Sequence, residues 1–600
     1  MTFDILSRPK LAAFAAACLL TVALPTGTAI AKEKIKAPAE QSTPVVTTPP
    51  EFTVEIPSVN AVGSNVDDTT LRAIFSGDLV ENADALAGLT ATSITIPEII
   101  LSFTSTVDGT DKSGTVTFKD VALDNVEDGV AASVSLGGAE LTADEDVSGS
   151  FGAVSATNFD IGGMLAVYGL VDAAGQTELT TLYSDFKSAG GSLAVKDVAC
   201  NVGAIETAEF KGRPLKFSFA DIMAMSQTME AEGETPSPET IGKALHIYAD
   251  IFTAFESSPV TFGGFDCKGT DENGTPLDFA MGGMTMDGMA PGTYPAIAMQ
   301  DFRIAVEGDG EMSMSNIAFK AMDLSGPIAT VEAAPEAIDQ AWLDANARSL
   351  IPAFAGFSFD GFKMDIPNPD AADQRVKADI GAFDLSLSDY LNGIPTNIST
   401  TGDSIVVDVP KDSGDEQFQQ LIDLGITSID VGFAVKAAWD EATNAINIED
   451  VSVSGADLAT VKLAGTIGNA TEALFDIDPD TSLAAAMGVV INNLKVNVVD
   501  AGLADIILKR VSTEQGSDAA TMRPIYAGLA EGTILGMLAG AAEAQKVGKA
   551  VSAFISGDAK ALTIEMTAKD PAGLGLADFM AAQEDPTVLL QKTNISATSE

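Results

Sequence analysis

The sequence predicts an α+β protein rich in β-structure. It would contain an extended antiparallel, bulged sheet of repeated hairpin units, with helical insertions and a helical C-terminal segment. Two observations support this fold class. Short segments in which apolar residues alternate recur along the 600-residue chain, and this period indicates half-buried strands. Hydrophobic residues make up 46% and charged residues 20% of the chain, so it has enough apolar surface to fold.

The recurring segment has the form apolar-x-[Asp/Asn/Gly]-apolar-x-apolar. Its third residue interrupts the period of two, which predicts a bulge or sharp bend within a strand. The copies are irregularly spaced, which argues against a solenoid of fixed period and favours hairpins separated by helices. The copies are Phe118–Leu123, Val195–Cys200, Phe262–Cys267, Met299–Ile304, Met314–Phe319, Phe359–Met364 and Ile448–Val453.

The clearest strands and helices follow from local patterns. From Thr427 to Gly468, three alternating runs are separated by short polar turns, which predicts an antiparallel meander. Pro238 follows Ser237, a residue suited to cap a helix N-terminus, and this pair predicts a helix start. The predicted helices are Asp67–Leu89, Ala220–Glu230, Pro238–Glu256, Pro335–Leu350, Asp415–Leu424 and Ala519–Ile555.

Residues 1–31 have the features of a secretory signal peptide. Arg8 and Lys10 precede the apolar run 11–24, and the small residues of 29–31 supply a cleavage site. An uncleaved membrane anchor is the first alternative, but this run is shorter than the ~20 residues that a spanning helix needs. Lipidation at Cys18 is the second, although no large aliphatic residue stands directly before it.

We therefore expect a secreted protein, periplasmic or extracellular, that begins with a Pro/Thr-rich linker over residues 32–57. Repeated α+β sheet units are expected over 58–410, and the meander with its helices over 411–600. No later segment reaches 18 uninterrupted apolar residues, so we expect no transmembrane segment after signal removal.

The charge balance bears on the partners. The chain has 33 Lys and Arg against 85 Asp and Glu, a formal net charge of −52. Binding of nucleic acid requires clustered cations that displace counterions from phosphates, so no nucleic-acid partner is expected. We interpret the excess acids at turns, bulges and helix surfaces as a device for solubility that also discourages association of sheet edges.

Catalytic motifs are scarce. His246 is the one histidine and lies in a helical pattern, so no site with two imidazoles can form within one chain. The run Asp476-x-Asp478-x-Asp480 resembles the start of a calcium loop, but Met487 stands where the loop's last glutamate belongs. We predict no enzyme activity, catalytic residue, metal site or cofactor. A carboxylate-dependent hydrolase is kept as an alternative because acids are abundant.

Two cysteines remain after signal removal, and both occupy the last position of the recurring segment. If consecutive units pack side by side, Cys200 and Cys267 come close enough for a disulfide in an oxidising compartment. Two buried free thiols are the alternative. A metal site is disfavoured because there is no Cys-x-x-Cys and no histidine nearby.

A ridge of small residues is predicted near the C-terminus. Gly532, Gly536, Gly540, Ala544 and Gly548 recur every four residues, and on one helix this spacing would let another backbone approach closely. Each glycine costs about 1 kcal/mol relative to alanine, so close packing would have to offset that cost.

The C-terminal hairpins, best over residues 420–585, resemble those of uncharacterised secreted, periplasmic proteins of alphaproteobacteria. More loosely, a long amphipathic sheet with helices resembles AsmA-like envelope proteins. The uncharacterised secreted proteins have no assigned activity to carry over. From the expected long amphipathic sheet we predict a non-enzymatic envelope protein that binds or scaffolds an apolar ligand such as lipid, or an envelope protein partner. The alternative is a structural or surface-interaction protein without a ligand.

Overall fold

The computed structural model describes residues 51–600 apart from 108–109, 144–145, 174, 234, 272–273, 369–370, 410–415, 539–542 and 586. The predicted signal peptide, Cys18 and residues 32–50 of the predicted linker lie outside the described residues. The first strand begins at Glu51 and pairs with residues 100–104, so the end of the predicted linker belongs to the sheet.

A 28-stranded antiparallel sheet dominates the structure, and three short strands form a second sheet. The strands are β1 Glu51–Glu55, β2 Asn60–Val62, β3 Ala91–Val107, β4 Thr110–Glu127, β5 Val130–Leu136, β6 Gly138–Ala143, β7 Val147–Phe151, β8 Val154–Asp160, β9 Thr180–Ser188, β10 Gly191–Val195, β11 Val198–Val202, β12 Ile205–Gly212, β13 Phe255–Ser257, β14 Val260–Phe262, β15 Phe265–Thr270, β16 Pro276–Met281, β17 Gly283–Met286, β18 Thr293–Tyr294, β19 Ile297–Val306, β20 Gly310–Phe319, β21 Met322–Asp323, β22 Ala353–Phe354, β23 Gly356–Asn368, β24 Ala371–Leu391, β25 Ile394–Asp408, β26 Ser428–Asp440, β27 Ala445–Gly455, β28 Ala459–Gly468, β29 Val490–Asp500, β30 Ala561–Ala568 and β31 Thr593–Ser599.

The large sheet is a meander in which each long strand pairs with the next one along the chain. Several of these long strands are divided by a kink into two named halves. For example, β11 and β12 follow one another, and they pair with β15 and β14 of the next long strand. From β19 to β31, each strand of this sheet pairs with the strand that follows it in the sheet. The predicted fold class is confirmed.

Helices fill the connections between strands. They are α1 Asp68–Phe75, α2 Ala83–Ala87, α3 Ile161–Val167, α4 Phe219–Glu232, α5 Pro238–Ile251, α6 Ser325–Glu332, α7 Gln340–Asn346, α8 Glu416–Asp423, α9 Pro479–Met487, α10 Leu503–Glu514, α11 Ala519–Met537, α12 Ala544–Ser556, α13 Leu576–Glu584 and α14 Thr587–Lys592. Because strand direction alternates, the connections place α8 and α10–α12 at one end of the strands and the other helices at the opposite end.

Local patterns predicted many of these elements. The meander from Thr427 to Gly468 is present as β26, β27 and β28. Helix α5 begins at Pro238, and the Ser237 hydroxyl accepts a hydrogen bond from the Thr240 backbone N–H. The helix predicted over Asp67–Leu89 forms as two short helices, α1 and α2.

The recurring segment forms bulges in most of its copies. The third residue has a positive φ at Asp120, Gly264, Asp301 and Gly361, a backbone conformation that bends a strand. The copy at Val195–Cys200 differs, because residues 196 and 197 make the turn between β10 and β11. A polar pair between two alternating runs therefore also serves as a hairpin turn, and the short pattern alone does not separate the two outcomes.

Candidate functional site

One face of the large sheet is apolar across many strands, and we call it the apolar face. Directly paired residues of an antiparallel sheet project to the same side, and successive residues alternate. From Phe433 on β26, the register leads to Val453 on β27 and Val461 on β28. The whole row comprises Phe262, Met284, Met299, Ile317, Phe359, Phe383, Gly402, Phe433, Val453, Val461, Val498 and Leu562.

Rows on either side of this one are apolar as well. On β26 the same side carries Val431, Val435 and Trp439. Among directly paired residues of the described strands from β14 to β30, the apolar face holds no Lys, Arg or Glu, and Asp500 is its one Asp. Asp500 ends β29, where it accepts a hydrogen bond from the Ala504 N–H in the first turn of α10.

Helices cover the apolar face near both ends of the sheet. At the N-terminal end, Leu71 of α1 and Leu165 of α3 belong to one cluster with Ile94 and Ile96 of β3. At the C-terminal end, helices α11 and α12 contribute to a cluster that includes Ile595 of β31. The sheet is therefore closed by helices at its first and last strands.

Between these ends, apolar side chains are open to solvent. Phe319 is 46%, Val453 60% and Val461 47% exposed. The side chains of Ile398 and Val435 are also exposed. Most soluble proteins leave apolar side chains exposed singly, and contiguous exposed apolar surfaces commonly occur where a protein contacts a partner, a membrane or a ligand.

An aromatic ladder runs along the face. The Phe359 and Phe383 rings stack with centroids 5.3 Å apart, and the Phe383 and Phe433 centroids are 6.4 Å apart. Gly402 lies between them on β25, and a Cβ there would approach the Phe433 ring to 2.4 Å. The glycine thus makes room for Phe433 to reach across a strand.

The opposite side of the sheet, the polar face, is charged, and several of its acidic and basic side chains form ion pairs across the strands. Lys462 pairs with Asp450 at 2.8 Å, and Lys495 pairs with Glu565 at 2.7 Å. The Arg375 guanidinium also pairs with an aspartate, Asp365.

Ion pairing shifts the pKa of aspartates on the polar face. The Arg375 hydrogen bond, aided by Lys377, lowers the pKa of Asp365 below its ordinary value. Burial raises the pKa of Asp384, but hydrogen bonds from Lys320 and Ser386 outweigh burial and lower it. These carboxylates are ionised at neutral pH and hold the cations of this face in place.

A line of glycines and bulges, the crease, crosses the sheet at one level. In several places a glycine on one strand lies against a bulged residue on the neighbouring strand. At Gly282, for example, an added Cβ would be 3.0 Å from the Cβ of Asp301. A cavity of about 620 Å³ opens there, with Asp301 and Arg303 in its lining. Arg303 is paired with Asp278 at 2.8 Å. The crease positions are Asp120, Gly137, Gly152, Gly190, Gly203, Gly264, Gly282, Asp301, Ser315, Gly361, Gly381 and Ser404.

The two cysteines lie on the apolar face. Cys200 on β11 is directly opposite Cys267 on β15, with their Cα atoms 4.0 Å and their sulfur atoms 2.10 Å apart. Leu193 and Phe279 pair with them from the strands on either side. The structure thus brings together the two residues predicted to form a disulfide.

The predicted ridge of small residues does not form on one helix. The structure has two helices here, with Gly532 and Gly536 on α11 and with Ala544 and Gly548 on α12, whereas Gly540 lies outside the described residues. A Cβ at Gly532 or Gly536 would have nothing within 4 Å.

The reason for the break is packing between α11 and α12. When the chain turns back, Leu538 and Val547 join one apolar cluster, which a single straight helix could not build. Gly548 is close to α11, because its Cβ would be 3.3 Å from the Glu531 Cγ. At this one position of the predicted ridge, a glycine therefore lets α11 and α12 approach closely.

The remaining candidate residues have local structural roles. Asp478 caps α9 by accepting a hydrogen bond from the Asp480 N–H, and Asp476 accepts one from the Asp478 N–H. His246 lies within α5. In the described residues, no group of three or more His, Cys, Asp or Glu side chains is arranged to hold a metal ion, and no helix is long and apolar enough to cross a membrane.

The sequence predicted a long amphipathic sheet with one apolar face, but not which residues of each strand align across it. Each strand shows its own alternation, but whether apolar rows align depends on the register of every pair. The signal in the sequence that could have revealed the alignment is the interrupted alternation, because the bulges at the interruptions keep the apolar residues on one side of the sheet.

Comparisons with known proteins gave a match for the C-terminal part of the chain. A family model described as an uncharacterised protein matches residues 452–600, which include β28 to β31 and helices α9 to α14. Neither the curated proteins nor the solved structures contain a significant match to the chain. Residues 452–600 are thus similar to a family of uncharacterised proteins.

Proposed function

We propose that this chain is a non-enzymatic, secreted envelope protein that binds an apolar ligand such as lipid along the apolar face. The observation that carries the proposal is the unbroken apolar row from Phe262 to Leu562, with its centre exposed. Burial of apolar surface stabilises by roughly 25 cal/mol per Å², so a ligand whose hydrocarbon chains cover several strands would gain considerable free energy on binding.

The loose resemblance to AsmA-like envelope proteins favours the same function. Their long amphipathic sheets would have a counterpart in this meander, and the predicted signal peptide would deliver the protein to the envelope. The aromatic ladder supports a ligand with long hydrocarbon chains, since flat rings and branched aliphatic side chains offer a wide apolar surface.

Native mass spectrometry of protein purified without detergent tests the proposal. We expect masses that exceed the chain mass by one or more lipids. Replacing Val453 and Val461 by Glu should remove these adducts. Replacing Ser452 and Thr460 by Glu on the opposite side of the same strands should leave them. A bare chain mass in the unsubstituted protein would favour the alternative, a structural protein without a ligand.

A further inference from the structure

We propose that the ligand of the apolar face is a lipid whose headgroup carries no net negative charge. This inference rests on the proposed function and narrows it to one class of headgroup. Its basis is the distribution of charge around the exposed centre of the face, between β24 and β28.

Acidic residues flank the centre at both ends of its strands. Asp457 lies in the turn between β27 and β28. At the opposite end, Glu441 lies in the turn between β26 and β27. Both are exposed, and the described turns 392–393, 441–444 and 456–458 contain no Lys or Arg.

The cations of the central strands lie on the wrong side to bind an anion. Lys436 pairs across the sheet with Asp450, and Lys462 pairs with Ser452, so both project to the polar face. Lys462 also forms an ion pair with Asp450 at 2.8 Å. A phosphate beside the apolar face would therefore find acids at the strand ends and no facing lysine on these strands.

A lipid whose hydrocarbon chains lie parallel to the strands would have its headgroup near those acids. Hydrocarbon chains that lie on the apolar face leave the headgroup in water at the ends of the strands. Charges interact over about 10 Å at 0.1 M ionic strength, and a formal net charge of −52 adds to the local repulsion of anions. Zwitterionic and cationic headgroups avoid this cost.

A competition between two lipids tests the inference. The full-length secreted protein is incubated with vesicles that contain equal amounts of phosphatidylcholine and phosphatidylglycerol with identical acyl chains. Lipid bound to the re-isolated protein is then quantified by mass spectrometry. At 50 mM salt we expect at least tenfold enrichment of phosphatidylcholine, and at 0.5 M salt the ratio should approach one.

Charge-reversal variants localise the effect. Asp457→Lys combined with Glu441→Lys should reduce the enrichment several-fold, because both substitutions lie in turns beside the exposed centre. The control, Glu81→Lys combined with Glu230→Lys, changes the net charge by the same amount at two exposed positions far in the sequence from the exposed centre. It should change the enrichment of phosphatidylcholine little.

Two results would overturn the inference while leaving the proposed function intact. One is equal binding of the two lipids at low salt, and the other is an unchanged ratio in the Asp457→Lys, Glu441→Lys variant. If the protein extracts neither lipid, the proposed function itself fails, and the inference falls with it.

Discussion

The buried ion pair between Arg213 and Asp250 shows how single residues anchor the helices to the sheet. Arg213 follows β12, and Asp250 lies in the last turn of α5. Their side chains are 2.8 Å apart, with 11% and 2% of their surfaces exposed. Asp250 also accepts a hydrogen bond from the Lys216 N–H. The pair thus ties α5 to the strand that precedes it.

Replacing Arg213 by Met should destabilise the protein by about 3 kcal/mol, because it leaves a buried carboxylate without its partner. Denaturation by urea measures the change. The control is Lys216→Met, which removes an exposed pair with Glu332 and should cost less than about 1 kcal/mol. Equal effects of the two substitutions would show that burial of the first pair contributes nothing.

The ion pair between Arg375 and Asp365 predicts a pH dependence. Because the pKa of Asp365 is lowered in the folded protein, its contribution to stability is complete above pH ~4 and is lost as the pH falls further. Arg375→Gln should therefore destabilise at pH 7 and have less effect near pH 3. Thermal unfolding of both proteins at the two pH values measures this, and a pH-independent difference would contradict it.

At the scale of elements, the cysteine pair joins two adjacent strands on either side of the insertion that holds α4 and α5. A disulfide there closes a loop of 67 residues, which in the chain-entropy model stabilises by about 4 kcal/mol. Cys200→Ser with Cys267→Ser should lower the melting temperature clearly. Ellman titration of denatured, non-reduced mature protein should find no free thiol, whereas two thiols would refute the bond.

The C-terminal helices allow a contrast between glycines. Gly532→Ala on α11 should stabilise by about 1 kcal/mol, since its Cβ enters open space and alanine favours a helix. Gly242→Ala on α5 should destabilise, because its Cβ would lie 2.0 Å from the Glu336 carbonyl oxygen. Urea denaturation measures both. If Gly532→Ala lost stability instead, another backbone would have to pack against this glycine, as the predicted ridge requires.

These elements also show how far the sequence alone could lead. Cys200 and Cys267 lie together as predicted, but not because their segments are equivalent, since one copy holds a hairpin turn and the other a bulge. The register of β11 with β15 places the two cysteines opposite each other. The four-residue spacing from Gly532 onward could not reveal that two helices form. That outcome depends on tertiary packing between α11 and α12, which local spacing does not encode.

At the scale of the whole molecule, alternation within strands predicted a long amphipathic sheet, but not which residues line up across the strands to make its apolar face continuous. Continuity requires every bulge along the crease to keep the apolar side chains on the same side. Register across the meander decides this, and it links residues as distant as Phe262 and Leu562. Under the proposals made above, the net charge would both maintain solubility and disfavour anionic ligands.

Photo-crosslinking tests the central claim, that lipid lies along the apolar face, most directly. p-Benzoylphenylalanine would replace Ile317, Phe433 or Val461 on the apolar face. In matched controls it would replace Ala318, Ala434 or Thr460 on the polar face of the same strands. After irradiation with phosphatidylcholine vesicles, we predict lipid adducts at the first three positions and none at the controls. Adducts at both sets, or at neither, would contradict the account.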